Sequence, residues 1–164
     1  MKQNFFNSDC TPFVEFEEKT QSVYLDPFYE SKGWTIVTRK GTEEYDLILN
    51  ISGVNYKVEE KIRREDYNDL TIEFVQDIKT KNMGWFFKSK AYFIFYVICK
   101  NEIPIKLYAV NFDKLKNFIY KNHEYVYGLT VSKLGFGESW NFSIPWGKIP
   151  KEFYKLLLTE VKDA

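Results

Sequence analysis

Three residues near the middle of the chain are of the right types to do chemistry together: Asp46, Glu59 and Lys61. Two carboxylates brought side by side make a hard oxygen site suited to Mg²⁺ or Mn²⁺, with waters and a phosphate oxygen completing the shell. The main-chain carbonyl of Glu60 is a further candidate ligand. An ammonium two residues beyond Glu59 can orient or help deprotonate an attacking water, or stabilise the charge that develops on a phosphorane-like transition state. The competing explanation of the same pattern is a strand face of solvated charges.

The elements that must position these groups are legible in the surrounding pattern. Alternation over Val54–Ile62 puts Tyr56, Val58 and Ile62 on one face of a strand, with Lys57, Glu59 and Lys61 on the other. Tyr45–Ile51 is its expected partner, with Leu47, Leu49 and Ile51 on one face and Asp46 pointing the other way. Folding at Ser52-Gly53 brings Asp46 and Glu59 to one side of the sheet. Upstream, Trp34–Arg39 is a β-branched, alternating strand followed by a polar turn over Lys40–Glu44. Before it, Thr11-Pro12 has the signature of a helix start. Phe13, Phe16, Thr20, Val23 and Tyr24 share one helical face. Asp26-Pro27 is expected to kink or end the helix, and Lys32-Gly33 to close the segment.

Downstream, Asp66–Gln76 is ambiguous, although Leu70, Ile72 and Phe74 alternate as in a strand. Lys79–Lys90 reads as a loop mixing lysines and aromatics. Ala91–Cys99 and Ile105–Val110 are strands joined by a turn around Asn101 and Pro104. Phe112–Lys121 has helical spacing with Asn111 as its cap. Tyr125–Trp146 reads as short strands with Gly-rich turns, and Pro150–Val161 as a closing helix. With no internal repeat or low-complexity linker, residues 1–164 form a single domain, its core approximately 12–110 and a C-terminal elaboration over 111–164. The fold class is α/β, a sheet covered by helices on at least one face.

Asp46, a hairpin, and then Glu59-Glu60-Lys61 resemble the PD-(D/E)XK nuclease superfamily. The likeness covers roughly residues 12–110, including the leading helix, Lys32-Gly33-Trp34 at the start of the first strand, and the three-strand core. It looks closest to the compact branch containing Holliday junction resolvases and small phage or bacterial nucleases. Gly84-Trp85 followed by Lys88-Ser89-Lys90-Ala91-Tyr92 also looks like a strand start of small phage-type members. Two departures stand out: Tyr45 precedes Asp46 where proline is common, and the usual helix after Glu-x-Lys is not evident in Asp66–Asn82. The resemblance implies a restriction-endonuclease-like central mixed sheet flanked by helices, here with extra C-terminal strands and a helix. It implies a Mg²⁺- or Mn²⁺-dependent deoxyribonuclease that hydrolyses phosphodiester bonds by in-line attack of a metal-activated water. Asp46 and Glu59 would hold the metal and Lys61 would assist the water. The alternative is a catalytically silent nuclease-fold subunit that binds DNA or another protein.

Related nucleases often supply a glutamate from the leading helix, which makes Glu17 the choice and Glu18 the substitute; each is also a good surface salt-bridge residue. Glu73 is a candidate for supporting the site, and Gln76 for contacting substrate. Arg63 and Arg64, just past Lys61, are placed for phosphate contact. Lys79, Lys81, Lys88 and Lys90, interleaved with Trp85, Phe86 and Phe87, could follow a phosphate backbone, or form a solvated rim around core aromatics.

The 164-residue chain has a formal net charge of zero, which removes the long-range attraction of a strongly basic nucleic-acid binder and predicts weak, weakly salt-dependent non-specific affinity. DNA, duplex or branched, is nevertheless the expected partner, with RNA open, and a homodimer would cut both strands by analogy with other compact nucleases. Cys10 and Cys99 have neither a disulfide framework nor a CxxC spacing. His123, the single histidine, has nothing near it to support histidine-based catalysis. No P-loop, dinucleotide fingerprint or zinc spacing is present. The N-terminus lacks the apolar core of a signal peptide and no apolar run is long enough to span a bilayer, so a cytoplasmic protein without membrane contact is expected.

Overall fold

The computed structural model describes residues 11–122, 130–134 and 137–159. The leading helix forms as α1 (Thr11–Thr20), but it does not end at Asp26-Pro27. A π-helical turn (Gln21–Leu25) carries the chain into α2 (Asp26–Ser31), with the Asp26 N–H donating to the Gln21 carbonyl. The wider turn leaves Pro27, which has no N–H, at the start of α2 where no intrahelical donor is required. It also rotates the apolar stripe. Phe16, Thr20, Leu25 and Tyr29 are buried, whereas Val23 and Phe13 are exposed.

Lys32-Gly33 closes the segment as expected. The Gly33 N–H donates to the Glu30 carbonyl (2.9 Å) and the Trp34 N–H to the Tyr29 carbonyl (3.0 Å). Gly33 takes the positive φ of 73° that this closure requires. The Trp34 ring then stacks on Tyr29 at 6.1 Å, which sets the angle at which the chain enters the sheet.

Strands β1 (Thr35–Thr38), β2 (Leu47–Ile51) and β3 (Val54–Arg63) form an antiparallel meander. The β2–β3 turn places Ser52 and Gly53 at φ 52° and 86°, the two positive values of a tight hairpin turn. The ambiguous segment after β3 is a strand, β4 (Asp69–Asp77). The lysine-rich stretch that read as a loop contains the short β5 (Asn82–Met83) and one helical turn, α3 (Trp85–Lys88). β6 (Phe93–Lys100) then lies parallel to β3, with Glu59 opposite Ile94 and Lys61 opposite Tyr96. Its near-continuous apolar run is what a central strand buried on both faces needs. β7 (Ile103–Asn111) returns antiparallel and leads into α4 (Phe112–Lys121), where the Asn111 side chain accepts from the Lys114 N–H at 3.0 Å.

The expectation of a closing helix over Pro150–Val161 is incorrect. After β8 (Thr130–Leu134) and β9 (Gly137–Pro145), two 3₁₀ turns (Trp146–Lys148 and Lys151–Phe153) lead to a strand, β10 (Tyr154–Thr159). β10 pairs antiparallel with β7, so the edge of the main sheet captures a segment whose Lys and Leu content favours a helix in isolation. The resulting order is β1-β2-β3-β6-β7-β10 in one mixed sheet and β5-β4-β9-β8 in a second, antiparallel sheet.

The protein is therefore α/β, a mixed multi-strand sheet flanked by few helices. On one face of the main sheet, Phe16, Leu25 and Tyr29 pack on Leu47, Leu49, Val58 and Phe95. On the other, Ile94, Tyr96 and Val110 pack on Leu70 and Ile72 of β4, on Phe142 and Ile144 of β9, and on Leu115 and Ile119 of α4. Cys99 is in the core, and burial pushes its thiol up to about 12, leaving it unreactive at neutral pH. Cys10 and His123 lie outside the described residues. No described helix is long and apolar enough to cross a membrane.

Gly84 seats α3 against β4. A Cβ at this position would lie 2.2 Å from the Glu73 carbonyl oxygen and 2.8 Å from the Phe74 carbonyl carbon, both main-chain atoms. Gly84→Ala is accordingly expected to lower stability by about 1–3 kcal/mol, the usual range for overpacking. Urea unfolding would show the midpoint fall at unchanged slope; an unchanged midpoint would contradict this packing.

Candidate active site

The β2–β3 hairpin brings Asp46, Glu59 and Lys61 to one place. In register, Leu47 faces Val58, so Asp46 sits one step beyond the ladder, beside Glu59 and Glu60. Its N–H donates to the Val58 carbonyl (2.9 Å), and its Oδ2 accepts from the Glu60 N–H (2.6 Å). The carboxylate thus replaces the strand partner that β3 lacks at this point and is itself fixed. The turn before β2 supports it: a Cβ on Gly41 would lie 3.0 Å from the Asp46 carbonyl oxygen, so only glycine fits without displacement.

The face assignment along β3 follows the alternation in the sequence. Tyr56, Val58 and Ile62 belong to the core under the helices. On the opposite face Lys61 Nζ forms an ion pair with Glu59 Oε1 at 2.6 Å and lies 5.5 Å from the Trp85 ring centre. Glu59 is 5 % exposed and sits beneath Lys61, while Asp46 and Lys61 border an open cleft of about 620 Å³.

Burial raises the Asp46 carboxyl above its ordinary range; the Lys61 ammonium opposes this and the Glu59 charge adds to it. Burial alone would lower Lys61. The carboxylates of Glu59 and Asp46, with a contribution from Glu73, outweigh it and hold the ammonium above its ordinary value. Without a bound cation, Lys61 is therefore held in its charged form by its carboxylate neighbours. Glu17 comes to the same cleft from α1, its carboxyl raised by burial and by Asp46 and Glu60 against the pull of Lys61. Glu73 lines the cleft from β4.

Glu60 turns from the cleft edge toward the helices. Its side chain is buried beneath the helices and accepts from the Tyr29 hydroxyl (2.6 Å), Gln21 Nε2 (3.0 Å) and Arg39 Nη1 (2.7 Å). Arg39 also pairs with Asp26. The Glu60 main chain meets Asp46 through its N–H. One signal of this network is present in the sequence: Phe13, Glu17 and Gln21 are spaced by four along the helix, so a cleft-facing Glu17 implies a cleft-facing Gln21.

The other nominated residues divide. Arg63 and Arg64 line the cleft. Arg63 Nη1 donates to Asp69 (2.9 Å), Thr71 (2.6 Å) and the Tyr96 hydroxyl (2.8 Å), which locks its guanidinium between β3 and β4. Arg64 donates to the Pro12 carbonyl (3.0 Å) and covers the Phe13 and Phe16 rings. By contrast Gln76, Lys79, Lys81, Lys88 and Lys90 do not line this cleft. Gln76 accepts from Asn82 (2.9 Å) and Lys88 (3.4 Å), while Lys90 is ion-paired with Glu44. Of the aromatics beside them, Phe86 is core, Phe87 is exposed and Trp85 supports Lys61.

The donor set fits a divalent ion of the Mg²⁺ type. Asp46 Oδ1 and Glu59 Oε2 accept no hydrogen bond from a described residue, and the two carboxylates come from neighbouring strands. Among the described residues no three His, Cys, Asp or Glu side chains are grouped so as to hold a metal ion together. Two carboxylates with the remaining positions left to water and phosphate is the arrangement Mg²⁺ ordinarily adopts. No protein-family model matches the chain, and no curated protein matches it.

Proposed function

We propose that the chain is a divalent-metal-dependent DNA nuclease of the PD-(D/E)XK type, hydrolysing phosphodiester bonds in the cleft above Asp46, Glu59 and Lys61. The observation that carries this reading is the hairpin register. It sets Asp46 on the Glu60 main chain, with Lys61 lining the cleft and the buried Glu59 ion-paired to it. The meander β1-β2-β3 followed by a parallel β6 supports it, since it is a mixed sheet of the kind the sequence resemblance implies. The crossover between β3 and β6 differs, being built from β4, β5 and α3 instead of a long helix.

Asp46 and Glu59 would hold the cation, with the Glu60 carbonyl adjacent. When bound, such an ion supplies positive charge to a phosphate oxygen and lowers the pKa of water. Lys61, a fixed cation next to both carboxylates, stabilises the negative charge that grows on the phosphoryl oxygens. Trp85 beneath it excludes water from one side. Arg63 and Arg64, held at the cleft, position the phosphates on either side of the scissile bond.

The test is cleavage of end-labelled single-stranded, duplex and branched DNA with Mg²⁺ or Mn²⁺. The wild-type chain is expected to cut at least one of them. Asp46→Asn, which keeps an acceptor for the Glu60 N–H, is expected to cut about 10²–10³-fold more slowly. Equal rates for the two proteins, or no cleavage of any form, would overturn the proposal.

A further inference from the structure

We propose that the cleft takes a single-stranded DNA segment, its bases stacking on Phe13 and Tyr67. This rests on the nuclease reading only for where the cut would fall, not for the binding itself. Both rings are large, apolar and exposed, 52 % for Phe13 and 60 % for Tyr67, and both line the cleft that holds Asp46 and Lys61. Each stands against an arginine of the same cleft: the Arg64 guanidinium is 4.8 Å from the Phe13 ring centre, and that of Arg63 is 5.0 Å from Tyr67. An aromatic ring beside a guanidinium is the pairing that follows a single strand, the ring taking a base and the cation a phosphate.

The rest of the lining agrees. The second sheet contributes Thr71, Ser139 and Asn141, bonded to Arg63 or to one another, an uncharged wall that adds no phosphate-binding cation. The cations are few, Lys61, Arg63 and Arg64, and they share the lining with five carboxylates, Glu17, Asp46, Glu60, Glu65 and Glu73. A duplex binder works mainly through phosphate contacts over a broad basic surface. Here the net charge is zero, and a cleft of about 620 Å³ admits only a small part of a duplex turn. Stacking must then carry affinity that charge does not.

Fluorescence anisotropy in EDTA, where no cleavage interferes, tests this with a labelled 12-mer oligodeoxythymidylate and a 12-base-pair blunt duplex. The oligothymidylate is expected to bind at least tenfold more tightly. Its log affinity should fall by about two per tenfold rise in salt, as for about three phosphate contacts on a single strand. Tyr67→Ala and Phe13→Ala should each weaken it by about fivefold or more, and Tyr67→Trp should restore it. Both side chains are exposed, so unchanged thermal melting is the accompanying control. Duplex bound as tightly as single strand, no binding of the oligothymidylate, or alanine variants that bind like wild type would each overturn the proposal. Absence of cleavage with intact, ring-dependent binding would instead overturn the nuclease reading and leave this one standing.

Discussion

Lys61→Met is expected to reduce phosphodiester cleavage by at least 10²–10³-fold while leaving binding of a divalent ion as tight as in wild type, or tighter. The two effects separate because Lys61 has two electrostatic roles. Without metal it is the counterion of Glu59, paired at 2.6 Å, and its charge also offsets Asp46. An incoming cation competes with it for those carboxylates, so removing the ammonium removes the competitor. In the proposed reaction its charge would face the phosphoryl oxygens, and methionine has none to offer. Rate measurements at saturating Mn²⁺, together with a metal titration of the same variant, check both halves. A variant that loses metal affinity and activity in parallel would make Lys61 a structural support and not a charge-stabilising group.

The second large effect concerns stability. Arg39→Met is expected to destabilise the fold by about 3–5 kcal/mol, the usual consequence of leaving a buried charge without its partner. Glu60 has a side chain only 1 % exposed, and Arg39, 24 % exposed, is the cation bound to it. The same guanidinium neutralises Asp26 at the start of α2, so one substitution removes the cation from two carboxylates. Against a typical total stability of about 5–15 kcal/mol this is a large fraction. The double variant Arg39→Met, Glu60→Gln should recover part of the loss, because glutamine keeps an acceptor for the Tyr29 hydroxyl without the buried charge. Urea unfolding of the single and double variants decides the matter; a double variant no more stable than Arg39→Met would contradict it. The network also anchors the strand segment whose N–H holds Asp46, so Arg39→Met should slow cleavage even where the protein remains folded.

The hairpin and its face assignment were legible because both rest on local rules. Alternation from Tyr56 to Ile62, broken only by Glu60, fixes which side chains share a face, and Ser52-Gly53 fixes the register. Gly33 and the Asn111 cap were readable for the same reason. What could not be read depends on partners distant in sequence. The segment 154–159 has a helix-favouring composition, and only the open edge of β7 makes it a strand. The π-turn at Gln21–Leu25 inserts an offset that no periodicity argument anticipates, and it exposes Val23 while burying Leu25. Glu60 was legible only as the residue between Glu59 and Lys61. Its buried partners come from the helix layer, and Arg39 comes from the stretch just beyond β1. The cleft wall formed by Thr71, Ser139 and Asn141 exists only because β4 pairs with β9.

The most direct test of the site is calorimetric titration of the full chain with Mn²⁺, compared with Asp46→Asn and Glu59→Gln. One site is predicted for wild type, lost or weakened at least tenfold in each variant while thermal melting shows both still folded. No saturable heat in the wild-type protein, or isotherms that neither substitution alters, would contradict a metal held between Asp46 and Glu59.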